Sequence, residues 1–158
     1  MINIKKVKII VSLILVILWL IAIFMFSADN AKESSGKSME IASKVAQKVY
    51  KEDEVKREKL AKDLNHPIRK CAHATVYFIL SILVMNLIFQ ITINRKKIYY
   101  LYNIIFCFLY ACSDEYHQLF VQGRSGELRD ILLDTCGAIL GFLVYLGMYK
   151  LIKRIKKV

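Results

Sequence analysis

One proline and six glycines in 158 residues leave little material for linkers, and neither a tandem repeat nor a low-complexity tract interrupts the chain. A single domain over residues 1–158 is the economical reading at this length. No CxxC spacing links the four cysteines, Cys71, Cys107, Cys112 and Cys136, which argues against a zinc ribbon or a redox dithiol. They sit in or next to apolar segments and read as small buried hydrophobes, with a Cys71–Cys112 disulfide left open. HExxH, a nucleophile elbow and a phosphate-binding loop are all missing, which counts against the familiar hydrolase and nucleotide-binding designs.

What is abundant is apolar. Hydrophobic residues make up 56% of the chain, above the 45 to 50% usual for soluble domains, and point to an integral membrane protein. Residues 9–26 run for 18 positions without a charge, roughly 27 Å of helix and close to the thickness of a bilayer core. Lys5, Lys6 and Lys8 precede this run, and it reads as a retained signal anchor because no small-x-small cleavage site follows. Further spans are expected at about 72–93, 98–113 and 130–149. Pro67 suits the start of the helix that holds the second. Tyr99, Tyr100 and Tyr102 form an interfacial cluster at the start of the third, whose helix should continue into Asp114 to Gln118.

Acid is lacking where base is concentrated. Lys5, Lys6, Lys8, Arg95, Lys96, Lys97, Lys150, Lys153, Arg154, Lys156 and Lys157 flank the spans without a nearby carboxylate and account for the net charge of +11. The positive-inside rule places these segments, and both termini, in the cytoplasm. Such cations suit anionic lipid, and nucleic acid is set aside as a partner. The segment between the first two spans then lies outside. Met39, Ala42, Ala46 and Val49 recur at helical spacing there, so helices are expected over about 38–50 and 52–64. The first would lie on the membrane or cap the helices. The fold class is therefore all-α, an integral membrane four-helix bundle with an extracytoplasmic helical segment between spans one and two.

The polar residues converge at the outer rim. Arg69, His73 and Tyr77 share one helix face, Asp114, His117 and Gln118 another, and Asp130 and Asp134 a third. Lys70 and Glu115 stand beside them. Asp134 lies one turn inside the fourth span, where a carboxylate is costly in lipid and must face other helices; His73 and Asp114 are its expected partners. Arg124, between Gly123 and Gly126, either clamps a phosphate or carboxylate or staples its loop to Glu115 or Asp114. Asp130 reads as an N-terminal helix cap. Gly137 and Gly141 form a GxxxG that admits a close neighbouring helix, with homo-oligomerisation left open.

The stretches "RKCAHATVY" (69–77), "DEYHQLFVQGRSGELRDILLDTCGAILG" (114–141) and "FMFSADNAKESSGKS" (24–38) resemble the VanZ-like family, named after an accessory teicoplanin-resistance protein. The family pattern falls on Lys70, His73, Tyr77, Asp114, Glu115, His117, Gln118, Phe120, Gly123, Arg124, Asp130, Asp134, Gly137 and Gly141. Two departures are Gln122, where proline is common, and Asp134, where many relatives have asparagine. The resemblance implies a small integral membrane protein of the cell envelope and lowered susceptibility to teicoplanin or related lipoglycopeptides. It supplies no reaction and no cofactor.

Three functions remain open on this reading. The rim binds a headgroup, a lipid-linked cell-wall precursor or a glycopeptide antibiotic. Alternatively, His73, Asp114, Glu115, His117 and Asp134 bind a metal or act as acid and base in a hydrolase or transferase on a lipid-linked substrate. In the third case the cluster only locks helix ends together.

Overall fold

The apolar runs and the mixed-charge outer segment both fold as helix in the computed structural model, which describes residues 4–29, 31–92 and 97–156. Arg95, Lys96 and Lys157, three of the flanking cations, lie outside that range. Five helices follow one another: α1 (Ile4–Ala28), α2 (Ala31–Val49), α3 (Glu54–Ile91), α4 (Ile98–Gln118) and α5 (Leu128–Ile155). No strand occurs among the described residues. Three helices, α1, α3 and α5, are long and apolar enough to cross a membrane. α4 carries five tyrosines and Asn103 and ends in a charged turn, and it is not among those three.

α3 departs from the expected two-piece arrangement. One helix of 38 residues, about 57 Å long, replaces an outer helix ending near residue 64 and a separate span starting at 72. Pro67 lies inside it rather than at its start. An internal proline removes one hydrogen bond and crowds the carbonyl four residues back. Here that carbonyl belongs to Asp63, and Asp63, His66 and Pro67 are all exposed, so water can satisfy the freed group. The helix starts at Asp53, whose side chain accepts from the Lys56 amide at 3.0 Å. That amide and the Lys56 ammonium hold the Asp53 carboxyl below its ordinary pKa.

α2 packs on the N-terminal half of α3. Ala42 and Ala46, from the predicted stripe, are buried against Ala61 with Leu60, Leu64 and Ile68 around them. Ile41, Val45 and Val49 stay exposed on another side of α2. The helix begins seven residues earlier than the sequence pattern suggested, because Ser34 and Ser35 join its first turns and Ser38 and Asn65 hydrogen-bond across the hairpin.

α3 is the hub, contacting every other helix. Its largest interface is with α5, where small residues let the backbones meet. A Cβ added at Gly137 would lie 2.2 Å from the Ala74 carbonyl oxygen, and one at Gly141 would lie 2.2 Å from that of Phe78. The GxxxG face is thus filled from within the chain. Leu80, Val84, Cys107, Ala111 and Ala138 form the shared core with Val16 and Ile23 of α1. Large apolar side chains such as Leu18, Ile21, Leu140, Leu143 and Met148 point outward, as lipid-facing surfaces do and soluble ones rarely do.

Polar side chains stitch the helices internally. Asn103 donates to Ser81 at 2.8 Å, and Asn86 and Gln90 both donate to Ser12, at 3.1 and 2.6 Å. Trp19 Nε1 donates to the Val76 carbonyl at 3.0 Å, and Tyr110 Oη to that of Leu20 at 2.7 Å. Ser81→Ala leaves the fully buried Asn103 amide without this acceptor and is expected to cost about 1–2 kcal/mol, read as lowered thermal stability in detergent. All four cysteines are free thiols, so the Cys71–Cys112 bridge is not made, and only Cys107 is buried while Cys71 and Cys136 are exposed.

Candidate functional site

The last turn of α1, the middle of α3, the end of α4 and the start of α5 meet at one end of the helices. From α3, the i, i+4 spacing delivers Arg69, His73 and Tyr77 to this point. From α4 come Asp114, Glu115 and Gln118, all buried. Asp134 of α5 is fully buried.

One atom each of His73, Asp114 and Asp134 lies within 4.8 Å of the others. The partners expected for Asp134 are therefore its neighbours. Neither Asp134 oxygen makes a hydrogen bond, and the hydroxyl of Tyr77, also buried, makes none either. Gln118 approaches Asp114 only at 3.5 Å.

Glu115 has a different task. It accepts from Gln118 Nε2 at 2.9 Å and from the Glu127 amide at 3.0 Å, tying the loop back to α4. The loop turns at Gly123, whose φ of 76° suits glycine. His117 stands apart from the three-residue set, with its ring 4.4 Å from that of Phe24.

The two arginines are not stapled to acids. Arg124 donates to Gln118 Oε1 at 3.0 Å and to the Phe26 carbonyl at 3.5 Å. Neither Glu115 nor Asp114 is its direct partner; Gln118 stands between Arg124 and Glu115, bonded to both. Burial and the neighbouring Arg69 push the Arg124 guanidinium below its ordinary pKa, against the pull of Asp114. Arg69 has no ion-pair partner among the described residues. Lys70, in contrast, is committed to both oxygens of Asp130 and lies 4.0 Å from Glu127. Asp130 is consequently a partner for Lys70 and not the helix cap the sequence suggested; the cap position falls at Glu127, because the loop extends only that far. Arg129 is exposed and outside the cluster.

Two clefts join at this site. An apolar one of about 230 Å³ runs between α1, α2 and α3, past Ile23, Phe26, Ile41, Ile68 and Val76, and reaches Asp114. A small polar one of about 70 Å³ lies under the loop, between Lys70, Gln118, Arg124 and Asp130. Arg69 and His73 line both.

The family model described as VanZ/LLP1 matches residues 12–152. The chain belongs to the VanZ/LLP1 family. No curated protein and no solved structure matches it. In this VanZ/LLP1 chain the cleft also draws on residues that spacing rules did not single out, namely Ser27, Ser34 and the Asp29–Lys37 ion pair. Their signal in the sequence was the polar run that follows the first apolar segment, within the stretch 24–38 that carries part of the family resemblance. His117 and Phe24 are 93 positions apart, and nothing local announces their contact.

Proposed function

We propose that this chain is a cell-envelope membrane protein that binds an amphiphile with a phosphate or carboxylate headgroup at its outer rim, and thereby lowers susceptibility to teicoplanin or related lipoglycopeptides. The amphiphile is a lipid-linked wall precursor or the antibiotic itself. The observation that carries this reading is the junction of an apolar cleft with a basic polar one at Arg69 and His73. An acyl or prenyl chain suits the first. An anion suits the second, where Arg69 forms no ion pair among the described residues and Arg124 keeps part of its donor set free, with Nε unpartnered.

On this reading α4 is a fourth span, the helices form a four-helix bundle, and both termini are cytoplasmic. The flanking cations support that orientation. In a cysteine-free background, an impermeant maleimide added to intact cells is expected to label Gln122→Cys and not Lys97→Cys; the reverse pattern would invert the topology.

Teicoplanin susceptibility tests the function. Cells expressing the wild type should tolerate more antibiotic than empty-vector cells, and Arg69→Ala and Arg124→Ala should each remove most of the difference. Equal susceptibility of wild-type and empty-vector cells sinks the resistance role. Binding of a polyprenyl diphosphate or of teicoplanin to purified protein then distinguishes the two sources of headgroup. The alternative, a hydrolase or transferase acting on a lipid-linked substrate, draws support from the His73, Asp114 and Asp134 set and requires release of phosphate from such a substrate by the purified protein.

A further inference from the structure

His73, Asp114 and Asp134 come from three different helices, yet each brings a ligand atom within 4.8 Å of the other two. Both aspartates are buried, Asp134 completely. Neither has an ion-pair partner among the described residues, since Lys70 is taken by Asp130 and Arg124 by Gln118 and a backbone carbonyl. The two Asp134 oxygens also lack any hydrogen bond. Two carboxylates in a water-poor setting without a counter-charge carry a large desolvation cost. No described side chain pairs with them as a cation, so a proton or a bound cation must neutralise them.

From this geometry we infer that His73, Asp114 and Asp134 bind a divalent transition-metal cation, of the Zn²⁺ or Mn²⁺ class. One imidazole nitrogen with two carboxylates suits such borderline ions, whereas Mg²⁺ and Ca²⁺ prefer all-oxygen shells. Ligands about 2.1 Å from a tetrahedral ion lie about 3.4 Å apart, so small rotamer adjustments close the set around a common centre. The ion cancels both carboxylate charges and leaves a neutral assembly with His73 uncharged. Three protein ligands leave a coordination position open. Since Asp114 and His73 line the apolar cleft and His73 also lines the polar one, that position faces the junction of the two. Tyr77, with an unpartnered hydroxyl, lines the apolar cleft together with His73 and Asp114. Cation binding does not depend on the headgroup reading and is measured here without any lipid phosphate.

Full-length protein, freed of any histidine tag and purified in a maltoside detergent, is stripped with EDTA and then titrated with Zn²⁺, Mn²⁺, Mg²⁺ and Co²⁺. The expected result is one Zn²⁺ per chain by elemental analysis, a rise in melting temperature with Zn²⁺ or Mn²⁺ that EDTA reverses, and visible absorption from bound Co²⁺. Asp134→Asn and His73→Ala should weaken Zn²⁺ binding by at least about a hundredfold, beyond the loss typical of removing an outer-shell partner. If either variant fails to fold, the wild-type stoichiometry, melting shift and Co²⁺ spectrum decide. A wild type with no bound metal and no melting shift would overturn the site. So would equal shifts with Mg²⁺ and Zn²⁺, or unchanged binding in folded Asp134→Asn and His73→Ala.

Discussion

Gly141→Val and Gly137→Val are expected to yield no monodisperse folded protein from detergent extracts. The added Cβ alone would stand 2.2 Å from a carbonyl oxygen of α3, at Phe78 in one case and Ala74 in the other. The obstacle is backbone on a long helix and not the tip of a flexible side chain, so relief requires α5 to move away as a unit. Ordinary overpacking costs about 1–3 kcal/mol; prying apart the largest interface should reach or exceed the top of that range, against a total stability of about 5–15 kcal/mol. Gly147→Val is the control. It lies on the same helix with nothing within 4 Å of its added Cβ and should melt with the wild type, within about 0.5 kcal/mol. A Gly141→Val protein as stable as Gly147→Val would mean that α3 and α5 do not pack at this distance.

Lys70→Met carries the second large effect. Lys70 and Asp130 retain only 18% and 17% side-chain exposure, and they join α3 to the first turn of α5. Removing the ammonium leaves Asp130 facing Glu127 with no cation in contact, and loss of one partner from a buried pair costs about 3–5 kcal/mol. Partial solvent access puts the expected value at the lower end. The double variant Lys70→Met, Asp130→Leu should recover most of that loss, because no uncompensated charge then remains. Thermal unfolding of the two single variants, the double and the wild type measures the coupling. A Lys70→Met protein with wild-type stability would reduce the pair to an ordinary surface bridge.

α1, α3 and α5 were legible as long apolar helices because such runs have few structural alternatives, and the extension of α4 to Gln118 followed from the shortness of its apolar run, whereas α5 starts two residues before the expected cap at Asp130. GxxxG was legible as a close-approach signal, though not as one satisfied inside the chain, because a sequence pattern does not name the neighbour. The break expected near residue 64 failed for a local reason. Proline rules weigh the lost hydrogen bond, but the exposed setting of Asp63 and Pro67 decides how much that loss matters. The site was legible as a set of residues and less so as a set of pairs. His73, Asp114 and Asp134 were placed together by their common depth. The roles of Glu115 as a loop tie and of Asp130 as the Lys70 partner join positions 12 and 60 residues apart, which helical spacing does not address.

The internal polar stitches bear on how the molecule is made. α1, the most apolar helix, can reside in lipid unaccompanied. α3 brings Asn86 and Gln90, which would be stranded in hydrocarbon but find Ser12 of α1 already in position. α4 adds Asn103, whose acceptor Ser81 arrives with α3. α3 and α4 thus each meet a hydrogen-bond partner on a helix made earlier, whereas Trp19 of α1 must wait for the Val76 carbonyl of α3, so the hydrogen bonds between helices are completed only as later helices arrive.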